Sequence, residues 1–279
     1  MQEKEKYRVL TMLTCHNRKE KTERCLWTLS GQNTKCEFTF IVVDDGSTDG
    51  TMEMLVEQKK ELDIHILKGN GALFYSRGMH RGMKYALDNS MYDYDYYLLV
   101  NDDVDFFAEA ISKLIFQSKE QNGAVVVGTT KDNEGHTSYG AIVFVKNVQH
   151  RIMEIYEWRE IADAFNANCV LIPNKIFAKA GIMDSHYIHA MGDYDYGMQI
   201  KRQGGIIYPS KEYVGVCNRN STKGLWSDTS LSRIERFKRK ETIKGLPYKQ
   251  WFYYLKKNFG LKYAIFYSLV PYVNIILGR

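Results

Sequence analysis

Two kinds of hydrophobic pattern alternate along the first half of the chain. Short apolar runs, often β-branched, at residues 8–14, 38–43, 64–67, 96–100 and 124–128 suit strands buried on both faces. Between them, residues 19–30, 50–61, 75–88 and 107–121 carry apolar side chains at helical spacing with polar ones opposite. Strand and helix in this alternation predict βαβ units, hence an α/β domain with a mostly parallel central sheet flanked by helices. Ligands of such sheets gather at the carboxyl ends of the strands, so chemistry is sought directly after each strand.

The second half is less regular. Residues 137–144 read as a further strand and 174–180 as a short helix, and a longer helix opens at Asp193 and stops at Gly204-Gly205. Residues 206–208 read as a strand. A stretch rich in Asn, Ser, Thr, Lys and Gly at 218–230 is a polar loop, and the chain from Leu231 onward is helical, basic and aromatic.

The strand ends are polar throughout. The first runs into Thr14-Cys15-His16-Asn17-Arg18, the second into Asp44-Asp45-Gly46-Ser47-Thr48-Asp49-Gly50, and the fourth into Asn101-Asp102-Asp103-Val104-Asp105. Ser47 or Asp49 suits the cap of a helix beginning near Thr51. Capping does not account for adjacent carboxylates after two different strands, because like charges that close repel unless a cation or hydrogen-bond donors meet them. A carboxylate pair at a strand end suits Mn2+ or Mg2+, hard cations that share oxygen ligands with substrate phosphates. Gly69-Asn70-Gly71 lets backbone approach a ligand closely, and Arg77, within Ser76-Arg77-Gly78, offers a fork of donors to phosphate or to an aspartate.

Composition narrows the function classes. With 44% hydrophobic and 25% charged residues, the 279-residue chain is a folded protein rather than a disordered or fibrous one. A net charge of +5 is too small to call for nucleic acid as a partner. The charge is uneven, since Arg233 to Lys262 holds ten Lys/Arg against two Glu. Five cysteines without a CxxC pair or a zinc-like Cys/His spacing argue against a disulfide framework or a structural zinc. The charged start and the absence of a long apolar run predict a cytoplasmic protein. In the tail, Trp251, Phe252, Tyr253 and Tyr254 precede Lys256 and Lys257, and the apolar run 263–277 is broken by Pro271. That run suits lying in a membrane interface, and equally a helical pair that packs on the core or forms a homodimer.

Four motifs, Thr14-Cys15-His16-Asn17-Arg18, Asp44-Asp45-Gly46-Ser47-Thr48-Asp49-Gly50-Thr51, Asn101-Asp102-Asp103-Val104 and Gly192-Asp193-Tyr194-Asp195, resemble in order and spacing those of family 2 glycosyltransferases. The likeness covers residues 8 to about 205 and is greatest to the bacterial branch that builds surface polysaccharides, including rhamnosyltransferase-like members. Lys244-Gly245-Leu246-Pro247 also resembles that branch. The resemblance implies a GT-A fold, a Rossmann-like sheet with a C-terminal helical extension. It further implies inverting transfer of a sugar from a nucleotide-sugar donor, UDP-hexose or dTDP-rhamnose, to a glycan or lipid-linked glycan at the inner membrane face.

Residue by residue, the resemblance places Thr14 and Asp45 at the nucleobase and Asn17, Arg18, Gly71 and Arg77 around the donor. Asn101 and Asp102 fall near ribose or metal, and Asp103 matches the ligand of Mn2+ or Mg2+. Asn101 stands where the motif usually begins with Asp, which lowers the local negative charge. Asp193 matches the general base, with Gly192 in place of a first acid, and a helix N-terminus favours its ionised form. Asp195 is the rival base, or else a first-turn carboxylate that steadies the helix or pairs with Arg202. Asn166 and Asn168 fall where donor sugar and acceptor are lined, and His189 is read as touching acceptor or phosphate or else as a structural loop histidine. The stretch Cys217-Asn218-Arg219-Asn220 lacks the metal-binding His of many members, leaving Arg219 or Lys223 to neutralise diphosphate. The expected organisation is a catalytic domain over 1–230, divided at about 105 into nucleotide and acceptor halves, followed by a tail over 231–279. A sugar nucleotidylyltransferase would need a Gly-rich, basic-ended loop after the first strand, which 14–18 does not supply. A non-catalytic glycan-binding or scaffold subunit is the other alternative, and Asn101, Gly192 and the missing His lend it some support.

Overall fold

A computed structural model describes residues 6–33 and 35–279. The first half runs β1 (Tyr7–Cys15), α1 (Lys19–Ser30), β2 (Cys36–Asp44), α2 (Thr51–Gln58), β3 (Asp63–Lys68), α3 (Phe74–Asp88), β4 (Tyr96–Val100), β5 (Asp105–Phe106) and α4 (Ala110–Glu120). There follow β6 (Val125–Lys131), β7 (Thr137–Tyr139), β8 (Ala141–Lys146), β9 (Gln149–Ile152), β10 (Ala164–Phe165) and β11 (Cys169–Pro173). The chain continues with α5 (Asn174–Ala180), α6 (Gly192–Arg202) and β12 (Ile207–Val216). Four helices form the tail: α7 (Arg233–Lys240), α8 (Tyr248–Phe259), α9 (Leu261–Tyr267) and α10 (Val270–Ile276).

The main sheet has the order β3-β2-β1-β4-β11-β6-β12-β5, with β7 on β6. Strands β3, β2, β1 and β4 are parallel, as the βαβ pattern requires. Beyond them β11 enters antiparallel to both β4 and β6, so the sheet is mixed. The expected single strand over 137–144 is two: Gly140 separates β7, on the main sheet, from β8, which pairs with β9 and β10 in a small second sheet. The three-residue strand expected at 206–208 is the start of ten-residue β12. Its register shifts against β6 between Pro209 and Gly215, and these irregularities break the alternation that would have revealed its length.

Apolar side chains alternate to both faces of the parallel strands. Val9 and Leu13 of β1 join Leu26, Val42 and Leu55 in a core under α1 and α2. Leu10 and Met12 face Met79 and Met83 of α3 on the other side. Strand ends are in register, Cys15 opposite Asp44 and Asp44 opposite Lys68, which brings the first three loops to one edge. A third cluster joins Tyr187 to Tyr254, Leu255 and Ala264 of the tail. The tail packs on the core, one of the two arrangements its composition allowed. Its basic character is partly internal: Arg236 and Lys240 are buried, the latter donating from Nζ to the Leu246 carbonyl at 2.8 Å.

Candidate active site

Asp45 ties together the loops that follow β2 and β3. Its Oδ1 accepts from the Gly71 N–H at 2.8 Å, and its Oδ2 from Leu73 and Phe74 N–H, each at 2.9 Å. The buried carboxylate thus meets amides at the start of α3, where the helix dipole also favours it. Gly46 has a φ of +69°, and a Cβ there would lie 2.8 Å from the Gly71 nitrogen, so the two loops touch backbone to backbone. Asn17, itself left-handed at a φ of 51°, joins the first two loops: its N–H donates to Ser47 Oγ at 2.9 Å and its Oδ1 accepts from Thr48 N–H at 2.7 Å. Asp49 does act at helix ends, accepting from Thr51 N–H and, at 3.0 Å, from Lys19 N–H at the start of α1. Thr14 donates to the Val43 carbonyl at 3.1 Å, and α3 crosses it at Gly78, where a Cβ would lie 2.4 Å from Thr14 Oγ1. Arg77 is exposed, with no side-chain partner among the described residues.

The acid pair already holds a cation. Arg18 Nη1 lies 3.0 Å from Asp102 Oδ1 and 2.9 Å from Asp103 Oδ2. Arg18 was expected around the donor, but here it bridges the carboxylates. Burial pushes the Asp102 carboxyl up to about 6 against the pull of Arg18. Asp103 Oδ1 faces Cys217, whose thiol donates at 3.6 Å and also receives Asn168 Nδ2 at 3.5 Å. Asn168, expected on the sugar, is instead buried in this support. Among the described residues no group of three His, Cys, Asp or Glu could hold a metal alone. The oxygen chemistry of the pair nevertheless suits Mn2+ or Mg2+, provided that substrate phosphate and water complete the coordination. Beside Asp103 a cavity of about 340 Å3 is rimmed by Lys21, Arg24 and Arg219, a setting suited to phosphate. One Arg219 nitrogen is committed to the Thr137 carbonyl at 2.6 Å.

Asp193 lies in the first turn of α6, its Oδ1 accepting from Tyr194 N–H at 2.9 Å and its Oδ2, distantly, from Ala167 N–H at 3.4 Å. Burial raises its carboxyl to about 6, against the lowering effect of these amides. Gly192 is fixed by packing: a Cβ would lie 2.5 Å from Ser76 Oγ, which donates to the His189 carbonyl at 2.7 Å. Three residues expected at the donor or acceptor also carry a buried polar atom with no partner among the described residues, namely Asn101 Oδ1, Asn166 Oδ1 and His189 Nδ1. Burial, with Lys244 and Arg18 nearby, lowers the His189 imidazole and keeps it neutral. Unmet buried polar atoms are costly in a lone protein, and hydroxyl groups of a ligand are of the right chemistry to meet them.

Asp195 faces elsewhere. It is fully buried, and its oxygens accept from Lys257 Nζ at 2.7 Å and Asn258 Nδ2 at 2.9 Å of α8, with Arg202 at 3.9 Å. The expected acceptor contact therefore gives way to the structural alternative, with the tail as principal partner instead of Arg202. Lys257 also binds Asp184 at 2.7 Å. Sequence reading missed Cys217 as a neighbour of Asp103, and Lys257 and Asn258 as anchors of α6; the helical spacing of Asp193 and Asp195, two residues apart, was the signal that they face differently.

A cavity of about 540 Å3 lies beside Tyr7, Phe116 and Lys211, near the opposite end of β1 from these carboxylates. Size alone does not make it the site, because it brings together no comparable set of unpartnered groups.

Comparison with known proteins gives a family and a fold. Residues 11–172 match the model of glycosyl transferase family 2. Among solved structures, TarS of S. aureus superposes with a TM-score of 0.59 at 14% identity over 96% of this chain and 54% of that one. The chain thus spans about half the length of that protein. TarS 1–349 in complex with UDP-GlcNAc matches with a TM-score of 0.59 at 12% identity over 96% of this chain and 90% of that one. A mannosyltransferase of Pyrobaculum calidifontis, PcManGT, in complex with GDP-Man and Mn2+, matches with a TM-score of 0.59 at 12% identity, covering 98% and 74%.

Proposed function

The chain belongs to glycosyl transferase family 2, and on that premise we propose that it transfers a sugar, with inversion, from a nucleotide donor to a hydroxyl of a growing bacterial surface glycan carried on lipid. The observation that carries this reading is the half-buried Asp193, raised to about 6, in a protein that also leaves buried polar atoms of Asn101, Asn166 and His189 without partners among the described residues. A carboxyl so placed is ionised near neutrality and still basic enough to take an acceptor proton. The acceptor oxygen forms its bond to the anomeric carbon as its proton passes to Asp193; the bond from that carbon to the diphosphate breaks on the opposite face.

On the donor side, Asp45 Oδ1 has one partner and keeps a lone pair for a base N–H, which suits the pyrimidine of a UDP or dTDP sugar. Thr14, Asn17 and Gly71 shape that edge, and Arg77 is free to reach phosphate. Asp103, with Asp102 beside it, is the residue to hold Mn2+ or Mg2+, whose charge would stabilise the departing diphosphate. With such a cation held by the pair, Arg18, which now bridges the two carboxylates, would be free to reach the diphosphate.

Screening UDP-hexoses and dTDP-rhamnose for release of nucleoside diphosphate tests the reading, with an acceptor glycan present and with Asp193→Asn as the control. The expected result is turnover that falls about 10²–10⁴-fold in the variant while donor affinity holds. Donor binding without turnover in the unaltered protein would favour the glycan-binding alternative, and unchanged turnover with EDTA would remove the metal.

A further inference from the structure

Helices α9 and α10 bury the wrong face for a helix that only packs on its own protein. The buried positions are Ala264, Ser268, Pro271 and Ile275, mostly small, spaced as one helical stripe. The exposed positions are Leu261, Ile265, Leu269, Val273 and Ile276, nearly every fourth residue, with Phe266 and Leu277 alongside. Ser268 and Leu269 both keep right-handed helical backbone, so the row crosses the junction between the helices without a break. Phe266 is 65% exposed and Leu269 52%, and contiguous exposed apolar side chains of this kind mark interaction surfaces.

We propose that this row seats on an anionic lipid bilayer. Charge selects that occupant over a second copy of the chain. Residues 256–279 contain no Asp or Glu, and Lys256, Lys262 and Arg279 are exposed around the row, with Arg233 beside Gly278. Two copies meeting through this face would bring like charges together, whereas lipid phosphates complement them. No helix among the described residues is long and apolar enough to cross a membrane, so the row lies in the interface, where Tyr263 suits the headgroup level. The seat is joined to the proposed active site, because α8, which precedes α9, holds Asp195 of α6 through Lys257 and Asn258. That this aims the site at a lipid-linked acceptor rests on the catalytic reading above; the seat itself does not.

Flotation of the full chain with phosphatidylcholine vesicles, alone or mixed with phosphatidylglycerol, is the test. The chain is expected to float with the mixed vesicles and to be released by salt. Replacing Ile265, Leu269 and Val273 together by Ser should weaken partition more than about a hundredfold. Replacing Lys256, Lys262 and Arg279 together by Gln should weaken it on the anionic vesicles about a hundredfold. Both sets are exposed, so melting temperature and donor turnover should hold. Three results overturn the proposal: no flotation at low salt, equal binding to both vesicles, or a dimer in solution that the serine variant dissociates. Flotation by a protein that turns over no donor would sink the catalytic reading and leave the seat standing.

Discussion

Asp193 and Asp195 stand two residues apart in one helical turn and are set for different tasks by what surrounds them. Asp195 has its charge answered by Lys257 and Asn258; Asp193 has only two amides, one distant, and burial raises its carboxyl. A base must be ionised to act, so the chemical step should fall about tenfold per pH unit below about 6 and level off above it. Asp102 is also raised to about 6 and loses its charge over the same range, so donor affinity should weaken there as well. Single-turnover rates at saturating donor separate the two, and a rate flat from about pH 5 to about pH 8 would remove Asp193 as the base. Asp45, Asp103 and Asp193 were legible as candidates because each directly follows a strand or opens a helix. Their partners were not. Arg18 and Cys217 approach Asp103 from 85 and 114 residues away, and no local pattern encodes such pairings.

At the scale of elements, the parallel half was readable because β1, β2 and β4 are largely buried on both faces and each helix on one. Helices 19–30 and 174–180 and strand 96–100 fall where the pattern puts them. The rest was hidden for definite reasons. Strand β11 is five residues inside an irregular stretch, and its antiparallel entry depends on partners on both sides. Between β7 and β8, Gly140 packs on Thr129, where a Cβ would lie 3.2 Å from Oγ1, and there the chain changes sheets. The contact of α8 with α6 gives a prediction. Lys257→Met leaves Asp195 buried with Arg202, at 3.9 Å, as its remaining cation and should cost up to about 3–5 kcal/mol. Adding Asp195→Asn should restore part of that loss, as coupled neighbours do. Urea denaturation of the four proteins measures it; strict additivity would mean that the ion pair contributes nothing.

For the whole molecule, the expected division at 230 is a change of composition across which packing continues. Tyr187 lies against Tyr254, Leu255 and Ala264, and α6 is ion-paired to α8. Truncation after Ser230 should therefore give a protein that aggregates or melts early, measured by size exclusion and thermal denaturation, where a detachable tail would leave both unchanged. The same clamp bears on the order in which the protein is made. Lys257 leaves the ribosome 62 residues after Asp195, a delay of several seconds at about 5–20 residues per second. Through that interval Asp195 of α6 has Arg202, at 3.9 Å, but not Lys257, and the helix that carries Asp193 is not yet locked. A nascent chain can complete the loops around Asp45 early, yet it fixes Asp193 in place only when helix α8 closes over α6.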